Sequence, residues 1–486
     1  MTRQRKTATM TSTPTSTPIS PPTSPQTATM TPGVPDLLKK YNQPGPRYTS
    51  YPTVPYWDQT PTQDQWIAHL DQELTASQSR GHGAAIYLHI PFCEQLCTFC
   101  GCNTHITKKY DRVAPYMAAV GQEWETYRQR LGREQFDVSE MHLGGGTPTY
   151  LTPDDLKTYL SPLISHMRRL DGSELSFEAD PRVTSRQHLQ ALKDLGFTRL
   201  SLGIQDFDPQ VQTAINRVQS VQSVARLCDA ARDIGYTSIN FDLIYGLPFQ
   251  TPAALTQTFE QVLKMRPDRI AFYGYAHIPW IKPGQRSYGE ADLPDGQGKH
   301  ALYALGREML THGGYHDVGL DHFALPHDGL WRAVTHQTLF RNFMGYMPRQ
   351  VSPMIGLGVS AIGDAWTAFG QNEKDLKAYQ SRAMAGEIPL SRGHILTQED
   401  QILRRHILNL MTTGTTHWDQ AETFTDYLLT VPERAKAMAD DGILTLEDHG
   451  LSIHPDSRAF MRNVAMLFDA RLSRKAPSKP TFSKTV

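Results

Sequence analysis

The stretch His89-Ile-Pro-Phe-Cys-Glu-Gln-Leu-Cys-Thr-Phe-Cys-Gly-Cys102 holds four of the five cysteines in a chain of 486 residues. Cysteines two to four residues apart close almost no loop, so disulfides among them would restrain little. Zinc sites bring two such pairs together from separated places, and no second Cys or Cys/His pair here is spaced for that. Packing alone gives free cysteines no reason to cluster. Three thiolates spaced C-x3-C-x2-C (Cys93, Cys97 and Cys100) can hold three corners of a [4Fe–4S] cluster and leave the fourth iron open. An open iron can bind a small molecule and act on it, so the spacing predicts an iron–sulfur enzyme. Phe99, between the last two ligands, is placed to shield the cluster and stack on a planar ligand. Cys228 stands alone in a helical pattern and is expected in the core.

Directly before the cysteines runs Ala85–Pro91, the first of six short apolar runs. The others are Glu140–Gly144, Leu175–Ala179, Arg199–Ile204, Ser238–Ile244 and Arg269–Tyr275. Between them lie helical patterns such as Pro153–Arg169, Ser185–Leu195, Ser220–Ile234 and Pro252–Lys264. This alternation predicts an α/β chain with parallel strands and right-handed crossovers. Six units indicate an open (β/α)6 partial TIM-type barrel rather than a doubly wound sheet.

Each run ends in polar or glycine residues. Cys93 follows the first, Gly144-Gly145-Gly146-Thr147 the second, and Glu178 and Asp180 close the third. Gln205-Asp206 ends the fourth, Asp242 lies in the fifth and Ala276-His277 follows the sixth. In α/β barrels reactive groups gather at the carboxyl ends of the strands, so these residues can converge on one mouth. Glycines without Cβ atoms let backbone groups approach a ligand closely. Glu178, Gln205 and Asp242 can accept hydrogen bonds from ribose hydroxyls or an ammonium group, and Arg217 can meet a carboxylate.

Hydrophobic content of 39%, charged content of 20% and a net charge of −1 suit a soluble globular protein and give no indication of nucleic acid or an anionic membrane. No apolar run approaches the length of a membrane span. Clustered free thiols imply a reducing compartment, so a cytoplasmic location is expected. Residues 1–35 are rich in Thr, Ser and Pro and carry no acidic residue. They read as a disordered tail, with plastid import as an alternative.

The cysteine spacing with Phe99 resembles the radical S-adenosylmethionine (SAM) superfamily. Further motifs resemble one family within it, the oxygen-independent coproporphyrinogen III oxidases of haem biosynthesis. These are Tyr41-Asn-Gln-Pro-Gly-Pro-Arg-Tyr-Thr-Ser-Tyr-Pro-Thr53, Tyr87-Leu-His-Ile-Pro-Phe-Cys93, Cys100-Gly-Cys102-Asn103 and Gly144-Gly-Gly-Thr-Pro-Thr-Tyr150. Glu178-Ala-Asp-Pro-Arg182, Gly203-Ile-Gln-Asp-Phe207, Asp242-Leu-Ile-Tyr-Gly-Leu-Pro248 and Tyr275-Ala-His-Ile-Pro279 follow. Asp321-His-Phe-Ala324, Arg341-Asn-Phe343 and Gly356-Leu-Gly-Val-Ser-Ala-Ile362 complete the set, so the likeness covers nearly everything after residue 38.

The resemblance implies that Cys93, Cys97 and Cys100 hold the cluster and that two SAM molecules bind. Tyr87, Gly145 and Glu178 would touch the cluster-bound SAM. Phe99, Gly146, Thr147, Gln205, Arg217, Asp242, Ala276 and Ile362 would line the second SAM or the space between the two. Cys102 would be a non-ligating cysteine needed for activity and His89 a supporting catalytic residue. Residues 36–84 would be an N-terminal segment reaching the active site, 85–369 the barrel and its extension, and 370–486 a mainly helical C-terminal domain.

The implied reaction is oxidative decarboxylation of two propionates of coproporphyrinogen III to vinyl groups, giving protoporphyrinogen IX. A 5′-deoxyadenosyl radical from SAM would take the hydrogen, and a reduced donor such as flavodoxin or ferredoxin would supply electrons to a monomeric enzyme. Arg47 and Arg341 are candidate partners for the four carboxylates. The family pattern has Gln where this chain has Met344, which removes a hydrogen-bonding group near the second SAM or the substrate. A haem-binding chaperone or haem-handling methyltransferase with the same barrel is an alternative, and the Cys102 extension and the Pro44–Pro52 segment argue against it. A non-catalytic iron–sulfur electron-transfer protein is another; the open iron and ligand-lined strand ends weigh against it.

Overall fold

The computed structural model describes residues 34–477, 479 and 481–485, without side chains at 34–36 and 422. The expected N-terminal tail lies outside these residues except for 34 and 35, which begin a helix, Val34–Tyr41. Twelve strands form the main sheet: β1 Ala84–Ile90, β2 Phe136–Gly145, β3 Met167–Ala179, β4 Arg199–Gln205, β5 Ser238–Tyr245, β6 Arg269–Gly274, β7 His316–Gly319, β8 His322–Ala324, β9 Met354–Leu357, β10 Ile362–Asp364, β11 Ala368–Asn372 and β12 Leu390–Ile395. Their order is β12-β11-β10-β9-β1-β2-β3-β4-β5-β6-β8-β7. From β9 to β6 all neighbours are parallel. Antiparallel strands extend the sheet on both sides.

The six expected strands are all present. The parallel strand β9, on the far side of β1, was not anticipated: four residues in a glycine-rich run leave too short a pattern to read. The helix expected over Pro153–Arg169 ends at Ser165, and Met167 begins β3, where it pairs with Phe136. Sheet pairing overrides helical propensity here.

Side-chain alternation explains why this sheet curls around a site. Ile86, Leu88, Ile90, Leu143, Phe177, Leu200, Leu202, Phe241 and Phe272 point one way and join the main hydrophobic core beneath the helices. The intervening residues point inward and are polar. Tyr87 pairs in register with His142, His142 with Ser176, and Ser176 with Arg199. One layer higher Glu178 pairs with Ser201, and Ser201 with Asn240. A strand pattern of period two thus builds an apolar outer face and a polar interior. Connecting helices start where their sequences supply caps: Thr152 before Pro153, Ser185 with His188, Ser220, and Thr251 before Pro252.

A second core joins residues 402–470 with Tyr41, Tyr48 and Tyr51 of the N-terminal segment. Tyr48 donates to Asp469 at 3.0 Å, and Arg462 donates to the carbonyl of Pro46 at 2.9 Å. The boundary expected at 369/370 falls inside β11, and the sheet continues through β12. We place the start of the C-terminal unit at the helix Gln398–Thr412 instead. That unit is mainly helical, with one three-stranded antiparallel sheet.

Candidate active site

After β1 the chain turns at Pro91 and pins the cysteine loop at both ends. Phe92–Cys93 pairs with His105–Ile106, and the amides of His105 and Thr107 donate to Pro91 and Cys93 carbonyls at 2.7 and 2.9 Å. The Cys100 amide donates to the Cys97 carbonyl at 3.1 Å, and the Thr98 amide to Ile215 at 3.1 Å. Backbone hydrogen bonds thus hold the loop at both ends. Gln285, almost fully buried, donates to the carbonyls of Phe99 and Ala276 at 3.3 and 3.2 Å, tying the loop to the end of β6. Lys282 donates to the Cys102 carbonyl at 3.0 Å.

The glycine turn after β2 is tied to the same point. The Gly146 amide donates to Ile90 at 2.8 Å, and the Thr147 amide to Phe92 at 2.9 Å. A Cβ on Gly146 would lie 2.6 Å from the Pro91 oxygen. Gly145 has φ +113°, and a Cβ there would meet the His89 ring at 2.7 Å. Its amide donates to Glu178 Oε2 at 3.1 Å.

His89 is buried and held neutral, since burial lowers its pKa. Its Nε2 lies 2.8 Å from the Asn103 carbonyl and its Nδ1 3.0 Å from the Tyr87 hydroxyl. A carbonyl accepts only, so Nε2 carries the proton and Nδ1 accepts from Tyr87. His89 thus positions the loop at Asn103 and orients Tyr87, as a supporting residue would.

One pocket of about 700 Å³ brings together Cys93, Cys97, Phe99, Cys100, Cys102, Gly145, Gly146, Thr147, Glu178, Gln205, Arg217 and Asp242. Of the expected site residues, four are not among its walls. Tyr87 and His89 lie behind the glycine turn, in contact with the positions of Gly144 and Gly145. Ala276 contributes its carbonyl to Gln285, and Ile362 lies over Gly356 in β10.

Arg182 and Asp180 have a larger part than sequence reasoning gave them. Asp180 receives Arg182 Nη2 at 2.7 Å and Arg217 Nη1 at 3.2 Å, and both guanidiniums reach Cys97 Sγ, at 3.4 and 3.5 Å. Burial pushes the Asp180 pKa up, but Arg217 and Arg182 outweigh it and hold the carboxyl below its ordinary range. Arg217 also donates through Nε and Nη2 to the Gly203 carbonyl at 3.1 and 2.7 Å. Most of its donors are thereby committed to the framework, and it braces the Cys97 loop. Asp180→Ala leaves two buried guanidiniums without their carboxylate, and we expect it to cost about 3–5 kcal/mol in chemical denaturation. A loss below about 1 kcal/mol would show that the triad is not structural.

Asp242 accepts from Ser201 at 3.0 Å and Asn240 at 2.9 Å. Burial, with the nearby Glu178 charge, pushes its pKa up to about 6. A folded-state value above the unfolded one means the native protein binds the extra proton between roughly pH 4 and 6. Asp242 therefore makes stability fall as pH rises through that window, by about 2–3 kcal/mol. Asp242→Asn should flatten that segment of the stability–pH curve in ligand-free protein, as denaturation midpoints at pH 4.5 and 7 would register.

The donor set fits an iron–sulfur cluster. Cys93, Cys97 and Cys100 line one pocket, and soft thiolates so spaced suit separate irons of one cluster. The neighbouring Cys102 brings the Cys100 thiol down to about 6, and Cys100 together with burial pushes Cys102 up. The Gly145–Gly146 cradle, which a Cβ would fill, lies against this pocket.

A curled parallel sheet whose strand ends gather C-x3-C-x2-C thiols into a polar pocket defines a radical SAM enzyme. A family model described as "Radical SAM superfamily" matches residues 87–262. The chain is 38% identical over 446 residues to the oxygen-independent coproporphyrinogen III oxidase of Pseudomonas aeruginosa, covering 90% of this chain and 95% of that one. To the Escherichia coli protein of the same name it is 37% identical, covering 90% and 96%. The solved structure of the Escherichia coli coproporphyrinogen III oxidase superposes with a TM-score of 0.82 at 36% identity, over 88% of this chain and 98% of that one. The chain belongs to the oxygen-independent coproporphyrinogen III oxidase family.

Proposed function

We propose that the chain converts coproporphyrinogen III to protoporphyrinogen IX by decarboxylating two propionates to vinyl groups. In each step a hydrogen atom leaves the propionate β-carbon, CO2 departs, and one electron goes to an acceptor. Cys93, Cys97 and Cys100 would hold the cluster, which with two SAM molecules would supply, when bound, the reductive cleavage that makes hydrogen abstraction possible. On the family assignment Gly145 and Glu178 would hold the first SAM, with Tyr87 behind the glycine turn, and Phe99, Gly146, Thr147, Gln205, Arg217 and Asp242 would line the second, with Ala276 and Ile362 outside the walls of this pocket. A reduced flavodoxin or ferredoxin, a cytoplasmic location and a monomeric state complete this reading. Among the described residues no helix is long and apolar enough to cross a membrane.

The observation that carries the reading is the convergence of three clustered thiols, the glycine cradle, Glu178, Gln205 and Asp242 in one pocket. The substrate's charge finds an answer in the interior. Arg341 is buried with Nε and Nη1 lacking a partner, and its Nη2 donates to the Arg47 carbonyl at 3.3 Å. Burial, followed by the positive charges of Arg341 and Arg47, pushes His322 down to about 3. Uncompensated positive charge of this kind suits carboxylates, and guanidiniums bind them bidentately.

Anaerobic reconstitution followed by assay of 5′-deoxyadenosine and protoporphyrinogen IX from added coproporphyrinogen III tests the proposal. Absence of both products from cluster-replete protein would reject it. Met344 offers a finer check. Its side chain packs in the apolar cluster that includes Tyr87, and a thioether cannot replace an amide's hydrogen bonds. Met344→Gln should raise the rate of the second decarboxylation with cluster content unchanged. An unaltered ratio of mono-vinyl to di-vinyl product would show the position to be tolerant.

A further inference from the structure

A second cavity lies beyond Arg47, between the ends of β5 and β6, the helix Gly296–His312, residues 456–462 and residues 483–485. Its charge is unbalanced. Arg47, Lys299, Arg307, Arg458, Arg462 and Lys484 face it, against the carboxylates of Asp317, Asp321 and Asp456. Asp321 pairs with Arg47, and Asp317 with Arg307 at 3.6 Å. No carboxylate pairs with Lys299, Arg462 or Lys484 among the described ion pairs. Lys299 donates to the Tyr275 carbonyl at 2.7 Å, and Arg462 to the carbonyls of Pro46 and Lys484 at 2.9 Å each. Burial and mutual repulsion among Arg47, Arg462 and Lys484 bring Lys299 down to about 8. Only Arg462 of these cations is buried; Lys299 is half-buried and Lys484 exposed, and positive charge left unpaired in one cavity attracts an anion. Tyr245 and Tyr303, with ring centroids 5.3 Å apart, add an apolar wall.

Arg47 also joins this cavity to the interior. Its guanidinium lies 5.6 Å over the ring of Tyr273, an interior residue in the field of Asp242. Resting on the proposed function, we infer that the cavity is the binding site for the propionates the reaction leaves intact. A tetrapyrrole with four carboxylates presents one propionate at a time to the reacting centre and needs counter-charge for the rest. Lys299 and Lys484 are the cations free to supply it here, with Arg47 between the two chambers.

The test uses two stable porphyrins. Coproporphyrin III carries all four propionates, whereas mesoporphyrin IX carries only the two that survive the reaction. Both should quench the fluorescence of the cluster-replete enzyme on binding. Lys299→Gln/Lys484→Gln should weaken both by the same factor, tenfold or more, with melting temperature and iron content as folding controls. Should the double variant not fold, Lys484→Gln alone, in the terminal segment, should weaken both at least threefold. Weakening of coproporphyrin III alone would assign the cavity to the reacting propionates and overturn the inference, as would unchanged affinity for both. Failure of the wild type to bind either porphyrin would instead reject the functional reading on which the inference rests.

Discussion

Cys93→Ala, Cys97→Ala and Cys100→Ala should each lose the iron–sulfur chromophore after anaerobic reconstitution, and Cys102→Ala should keep it while losing turnover. Each of the first three removes one of only three protein ligands, and two thiolates cannot hold a four-iron cluster against solvent and oxygen. Cys97 should be the most damaging, because its sulfur is also the acceptor for Arg182 and Arg217. Cys102 lines the same pocket but lies outside the ligand spacing, and Cys100 and burial push its thiol up. Iron and sulfide analysis with electron paramagnetic resonance of the reduced protein separates these cases. A cluster retained in Cys97→Ala and lost in Cys102→Ala would reverse the ligand assignment.

Gly146→Ala should be nearly as severe although it adds one carbon. The new Cβ meets backbone: the Pro91 oxygen at 2.6 Å, the Pro91 carbonyl carbon at 2.7 Å and the Phe92 oxygen at 2.8 Å. Backbone cannot rotate aside as a side chain can, so the turn that launches the cysteine loop must move. Overpacking of this kind costs about 1–3 kcal/mol, and the loop displacement should remove most of the reconstituted cluster. Gly101→Ala is the control, since a Cβ there meets nothing within 4 Å. Equal cluster content in the two variants would show that the contact between glycine turn and cysteine loop does not position the thiols.

The cysteine spacing and the strand–helix alternation were legible because each is local: one is a ligand pattern, the other a hydrophobic period. Both survive without knowledge of the third dimension. The residues converging at the mouth were legible for a related reason, since strand ends in a parallel barrel point the same way. What was not legible depends on contacts across long sequence separations. Arg182 reaches Cys97 from 85 residues away, and Gln285 reaches Phe99 from 186. Nothing in Pro-Arg182 or Gly-Gln285 announces a partner. Glycine misled in a subtler way: Gly145 is needed for the His89 ring and a left-handed backbone, not only for a ligand. The sheet continues past residue 370 through β11 and β12, and β-strands of five or six residues carry little signal of which sheet they join.

The central claim is that a hydrogen atom is taken from the β-carbon of a propionate by a SAM-derived radical in this pocket. Coproporphyrinogen III deuterated at the propionate β-carbons, incubated anaerobically with the reduced, cluster-replete enzyme and SAM, tests it directly. The account predicts singly deuterated 5′-deoxyadenosine, about two equivalents per protoporphyrinogen IX formed. Deoxyadenosine without deuterium, alongside substrate that acquires no vinyl group, would contradict it.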